Sequence, residues 1–470
     1  MRSRTTIFTL TLIALLAACG TANSASEPGP STSAATGSTS TTTASTTTAS
    51  TVPRDGDAGG GWIGGEPEWT TSFADDAVVD KATGGMAPMP ATESYADAAG
   101  ASGDVVQSDA GLRAGSVDDN ADFDAYVEYL ARIKDLGVVT RDFDPTGRVV
   151  VAVTGTTGLP VAGIEVAVSA GGAQVATIRT TANGTARFLP ALYGAQDAQS
   201  FTFAAGGATA DAAPGGAVTL AVDAAGGATA PVPVDILFLL DATGSMGDEI
   251  DRLKTTIDSV AERIAGLDSK PDVHFAMTLY RDLADSFVTT TFDFTGDIQT
   301  FQGAIDDVVA EGGGDYPEAM DEGLAEAISA PTWRDPATTV QLVFLVADAP
   351  PQIERTVQTP YPASVVDAIA RGIKVIPIAS SESDDQAEAV FRQIAEATGG
   401  RFVFLSYGAA GAATGASTDI ESTDYEELSL DDLIVRLVSE ELAALTGVDP
   451  VPDSVPDTVV TTPPTNPPGQ

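Results

Sequence analysis

Five nearly unbroken apolar runs mark the C-terminal half of the chain: Ile236–Leu240, Val273–Tyr280, Leu342–Ala347, Val375–Ala379 and Phe402–Leu405. A strand that is apolar throughout, rather than at every second position, is covered on both faces, as in a parallel sheet between helical layers. Helical patterns alternate with these runs. Ile250, Leu253, Ile257, Val260 and Ile264 share one helix face. Pro317 fits the first position of another helix carrying Met320, Leu324 and Ile328. Ser383-Asp384-Asp385-Gln386 has the form of a capping box, Gly399-Gly400 that of a helix stop, and a last helix is expected from about Leu430 to Leu445. This alternation predicts an α/β fold over 233–447, a doubly wound, mostly parallel sheet that binds ligands at the C-terminal ends of its strands.

Upstream the period shortens. Val149–Val153, Ile164–Val168, Val175–Ile178 and Phe201–Phe203 are short β-type runs divided by Gly, Pro and Asn183-Gly184, and predict a β-sandwich over 147–232. Gly158 to Val166, followed by Thr180 to Phe188, resembles the carboxypeptidase-regulatory-like β-sandwiches, which implies a spacer or contact surface. Asn183-Gly184-Thr185 fits a glycosylation sequon, and Asn-Gly fits a hairpin turn. Phe123, Val127, Leu130 and Ile133 have helical spacing within a segment at 121–146. Residues 61–120 are acidic and Gly-rich, with little stable structure expected, although Leu112–Asn120 resembles a segment that precedes β-modules in some bacterial surface proteins. A Ser/Thr-rich stalk over 19–60 and a Pro/Thr-rich tail over 448–470 lack the apolar bulk for a core and are expected to be disordered.

Composition and the N-terminus turn this layout outward. The 470 residues carry 23 Lys+Arg against 66 Asp+Glu, a net charge of −43. Such a surface repels phosphate backbones, which argues against nucleic acid as a partner, and it suits cation binding. Arg2 and Arg4 precede an apolar stretch, Ile7–Leu16, too short to span a bilayer as an ordinary helix. It ends in Leu16-Ala17-Ala18-Cys19, which resembles a bacterial lipobox, and this implies a signal peptide over 1–18 and lipid on Cys19. Cys19 is the single cysteine, so no internal disulfide can form. No later segment is apolar for long enough to cross a membrane, and the lipid is then the expected anchor on the outer side of the cell membrane.

The first strand of the α/β half runs straight into Asp241-Ala242-Thr243-Gly244-Ser245-Met246. Alone, Asp-x-Thr-x-Ser also fits a helix cap. Two further oxygen-rich loops join it at the same sheet edge: Gly312-Gly313-Gly314-Asp315-Tyr316-Pro317-Glu318, and Asp348-Ala349-Pro350-Pro351 after a central strand. Carboxylates and hydroxyls on three loops suit a hard divalent cation, which takes oxygen ligands and keeps places for water or a partner. The order and spacing resemble the metal-ion-dependent adhesion site of von Willebrand factor A (vWA) domains. The resemblance implies Asp241, Thr243, Ser245 and Asp348 as ligands of Mg²⁺, or of Mn²⁺ or Ca²⁺. It also implies an extracellular or envelope protein as partner. Asp315 stands where the family has a threonine, and it is either a ligand or a helix cap. Three carboxylates around a divalent ion leave one negative charge in excess, which would turn the site away from acidic partners. Asp282, Asp285 and Glu318 are expected behind the ligands or on the surface.

Enzymatic readings fare worse. A phosphotransfer site like that of the haloacid-dehalogenase-like enzymes, with Asp241 as nucleophile, would carry a second aspartate two residues on, where Thr243 stands. The one histidine, His274, lies mid-strand, and no Gly-x-Ser-x-Gly occurs. One histidine and one cysteine make no zinc set. The chain therefore reads as a binding protein for adhesion or envelope assembly and not as an enzyme. An envelope scaffold with a merely stabilising ion is the alternative.

Overall fold

The computed structural model describes residues 113–450, apart from 230, 315, 381–382, 407–426 and 448. Cys19, the signal sequence, the stalk and the end of the tail lie outside the described residues, as does Asp315. The described chain begins with β1 (Arg113–Val117) and α1 (Phe123–Asp135). Seven short strands follow: β2 (Val149–Thr154), β3 (Glu165–Ala170), β4 (Ala173–Arg179), β5 (Thr185–Phe188), β6 (Phe201–Ala205), β7 (Ala208–Ala212) and β8 (Ala217–Ala221). Next come β9 (Pro233–Asp241), α2 (Gly247–Ala265), β10 (Asp272–Tyr280), β11 (Thr289–Thr295), α3 (Ile298–Asp306), α4 (Met320–Ser329) and β12 (Val340–Ala347). The remainder is α5 (Tyr361–Arg371), β13 (Lys374–Ala379), α6 (Asp385–Thr398), β14 (Phe402–Ser406), β15 (Glu427–Ser429) and α7 (Leu430–Thr446).

The main sheet has the order β11-β10-β9-β12-β13-β14-β1-β15, with β10, β9, β12, β13 and β14 mutually parallel. β9 and β12 are buried along almost their whole length because both faces are covered. Leu237 and Leu239 face the core shared with α4, α5 and α6, whereas Ile236, Phe238 and Leu240 face that of α2, α3 and α7. The chain moves from β9 to β10 on one side and later crosses to β12 on the other. The crevice at the C-terminal ends of β9 and β12 is thus a switch point, where doubly wound sheets bind ligands.

β2, β5 and β8 form one small sheet and β4, β3, β6 and β7 another. Their inward residues, among them Val151, Val166, Phe188 and Phe203, share a core continuous with the α4–α6 face. Asn183-Gly184 is a turn, with Asn183 Oδ1 accepting from Thr185 N at 3.1 Å and Thr185 Oγ1 at 2.7 Å. It is not a hairpin of paired strands, however, since β4 and β5 belong to different sheets.

Several expectations need correction. Residues 113–117 are a strand, not unstructured chain: β1 pairs antiparallel with β14 and β15 and closes the sheet. Pro317 does not open α4. Glu318 N donates to Pro350 O at 3.2 Å, holding the chain extended, and the helix starts at Met320. The cap of α6 is Asp384 rather than Ser383, its side chain accepting from Ala387 N at 2.8 Å. Among the described residues, no helix is long and apolar enough to cross a membrane.

Candidate metal centre

β9 delivers Asp241 to the crevice fully buried, and the 3-10 turn Gly244–Met246 then lifts Ser245 to the surface. One oxygen of Asp241, Oδ1, accepts from Thr243 N at 2.9 Å and from Thr243 Oγ1 at 2.6 Å. Thr243 Oγ1 lies 3.3 Å from Ser245 Oγ, so the hydroxyls form a short ladder leading outward. The other oxygen, Oδ2, is buried with no hydrogen-bond partner among the described residues. The Tyr280 hydroxyl, at the end of β10, interacts with the same carboxyl, yet it too lacks a partner of hydrogen-bonding geometry.

Asp348, buried at the end of β12, and Glu318, also buried, face the same place. Burial, then the Asp348 charge, push the Asp241 carboxyl up to about 7. Burial, then Asp241, Asp282, Asp348 and Asp285, push Glu318 up to about 8. Glu318 Oε2 is buried without a partner. The Gly-rich loop makes room for this convergence. Gly312 and Gly313 have φ of +82° and +68°, and a Cβ on Gly313 would stand 2.8 Å from Glu318 Oε1 and 3.1 Å from Thr243 Cβ. Asp285 accepts from Gly313 N at 2.8 Å and Asp282 N at 3.0 Å, which holds its carboxyl below the usual range and pins the loop.

A buried carboxylate oxygen without a donor among the described residues, beside like charges and linked through the buried Thr243 hydroxyl to the exposed Ser245, fits a divalent cation. Among the described residues no three His, Cys, Asp or Glu side chains form an all-protein cage. The donors are instead carboxylates and hydroxyls, the set that suits an ion keeping part of its hydration shell.

The structure therefore brings together Asp241, Thr243, Ser245 and Asp348. It also adds two groups, Tyr280 and Glu318. Tyr280 ends an apolar run and was not assigned to the site. Glu318 was assigned behind the ligands or to the surface, and it is buried facing the crevice. His274 sits opposite Asp235 on β10, whereas Tyr280 sits opposite Asp241, which puts the histidine about 20 Å down the strand.

Fold and crevice define a class, and residues 235–407 match the family model described as the von Willebrand factor A domain: the chain carries a vWA domain. Among proteins with similar sequence, alpha-protein kinase vwkA of Dictyostelium discoideum is 34% identical over 118 residues, covering 25% of this chain and 18% of that protein. An ariadne-like RING finger protein of Acanthamoeba polyphaga mimivirus is 30% identical over 118 residues, covering 25% and 11%. The chain thus spans less than a fifth of either relative. Among solved structures, the pilus adhesin SpaC of Lactobacillus rhamnosus GG covers 53% of this chain and 32% of its own, at 12% identity and a TM-score of 0.32. Proximal thread matrix protein 1 from the mussel byssus, with a zinc-occupied MIDAS motif, covers 36% and 41%, at 17% identity and a TM-score of 0.29. The fold assignment rests on the sheet order and the family match, not on these two likenesses.

Proposed function

We propose that this chain is a cell-surface protein whose vWA domain binds a protein partner through a divalent cation, Mg²⁺ by chemistry, with Asp241, Thr243, Ser245 and Asp348 as its holders. The observation that carries this reading is the buried Asp241 Oδ2 without a donor, at the floor of a crevice whose exposed rim is Ser245. A bound ion would supply a positively charged position at that rim for an oxygen of the partner. The side chains of the chain itself supply the rest: the Thr243 amide and hydroxyl orient Asp241, and Asp285 holds the Gly-rich loop against it. Catalysis is not part of the reading: the one histidine stands far down β10, and the carboxylate that adjoins the Thr243 hydroxyl is Asp241, here a holder of the ion. The lipid on Cys19 would place the module outside the cell, with the small sheets as spacer or second contact surface.

The test is pull-down of envelope proteins by the purified full chain with Mg²⁺ or with chelator. Partners should be retained with Mg²⁺ and lost with chelator, and Asp241→Asn should capture none in either. Capture by the wild type in chelator equal to its capture in Mg²⁺ would refute cation-dependent binding.

A further inference from the structure

The segment leaving α1 lies across the edge of the main sheet that carries the metal loops. Gln386 Nε2 donates to Val139 O at 2.6 Å and Gln393 Nε2 to Thr140 Oγ1 at 3.3 Å. The next residue, Arg141, enters the fold. Its Nη2 donates to Asp321 Oδ2 at 2.6 Å and to the carbonyl oxygens of Gln352 and Arg355, each at 3.3 Å. Asp321 is fully buried at the start of α4, and its other oxygen accepts from Tyr361 N at 2.6 Å. Gln352 in turn donates to Asp282 Oδ1 at 2.7 Å and to Pro317 O at 3.2 Å. One guanidinium thus ties the start of α4, just after the loop that carries Glu318, to the loop that follows Asp348.

We propose that Arg141 is a positioning residue for the metal centre, coupling cation binding to the docking of residues 136–146. The inference rests on the cation reading above. Carbonyls of an irregular loop have no ladder to pair with, and a planar group with several N–H donors can satisfy them together with a carboxylate. If Arg141 withdraws, Asp321 is left buried and uncompensated, and the two loops must rearrange to admit water. In the closed arrangement Asp241, Glu318 and Asp348 repel one another, and an ion removes that repulsion. Ion and strap therefore favour the same state of the loops, which is positive coupling. Arg141 also lies outside the residues that match the family, 235–407, so the matched segment alone lacks this tie.

The test uses the full chain. Because Arg141→Ala alone strands a buried charge, the main variant is Arg141→Gln with Asp321→Asn, which removes both charges, alongside Arg141→Lys. Mg²⁺ calorimetry should show affinity about tenfold weaker in the double variant, within the span usual for coupled sites, and an intermediate value for Arg141→Lys. Coupling is reciprocal, so Mg²⁺ should slow hydrogen exchange of peptides covering 136–146 in wild type by a similar factor, and not in Asp241→Asn. A purely structural role would lower melting temperatures while leaving both readouts unmoved. Unchanged Mg²⁺ affinity in a folded double variant, or exchange over 136–146 indifferent to Mg²⁺, overturns the coupling alone. A wild-type chain that takes up no Mg²⁺ overturns the cation reading and the coupling together.

Discussion

Asp241 uses one oxygen and leaves the other over. Oδ1 has two donors from Thr243, while Oδ2 is sealed in the crevice with Glu318 and Asp348 nearby. Without a cation such a group gives up its proton only well above the usual carboxylate range. The Asp241 carboxyl at about 7 and Glu318 at about 8 both lie above their ordinary values, so the folded state binds protons that the unfolded state has released. In chelator, the stability from this proton uptake is complete below the ordinary carboxyl values and is lost as pH rises from there through 7 and 8. A cation competes with those protons, so Mg²⁺ affinity should rise with pH over the same interval. Titrations at pH 6, 7 and 8 would check the order of affinities. Asp241→Asn removes one of the repelling charges, so at pH 8 in chelator it should melt no lower than wild type, and in Mg²⁺ the order should reverse. Asp241, Thr243, Ser245 and Asp348 were legible because each stands at or just beyond the end of an apolar run, where a parallel sheet presents its loops. Glu318 was legible only as a residue behind the ligands or on the surface, since its loop has no period and only the path of the Gly-rich turn aims the side chain inward.

Helix α6 shows where the pattern of elements falls short. Glu388, Arg392 and Glu396 stand at four-residue spacing, and all three are buried. Arg392 pairs with Asp119 at 2.5 Å and Glu388 at 3.1 Å, and Arg148 pairs with Glu396 at 2.5 Å, because α1 and the small sheets cover this face. Glu388 is an i,i+4 neighbour, but Asp119 and Arg148 lie more than two hundred positions away in the chain, and no local rule finds them. The five parallel strands, by contrast, could be read to within three residues at their ends, since burial on both faces leaves a nearly unbroken apolar signature. The lower end of β9 offers a control for the site. Arg334 Nε donates to the fully buried Asp235 at 2.6 Å and Nη1 to Asp272 at 2.9 Å. Arg334→Ala leaves Asp235 uncompensated and should cost about 3–5 kcal/mol of stability by denaturant unfolding. Asp235 lies about 20 Å from Asp241 along the strand, so the Mg²⁺ shift should persist in that variant.

At the scale of the molecule, the vWA domain is completed from outside its own segment. β1 sits between β14 and β15, and Arg141 ties two site loops together. A fragment of 233–447 loses both, and should melt below the full chain and bind Mg²⁺ more weakly. A fragment matching the full chain in both respects would contradict this. Export and anchoring rest on Leu16 to Cys19. Cys19→Ser should shift the protein out of the membrane fraction or leave it unprocessed, and fractionation of cells expressing each form would decide. The central claim is that a divalent cation belongs in the crevice at Asp241. It is tested most directly by melting the full chain at pH 8 in Mg²⁺ and in chelator, beside Asp241→Asn. An ion that binds only the folded state adds about 2.7 kcal/mol at a hundred times its dissociation constant. The wild type should therefore melt several degrees higher in Mg²⁺ and the variant should not respond, whereas coincident wild-type curves at saturating Mg²⁺ and in chelator would contradict the account.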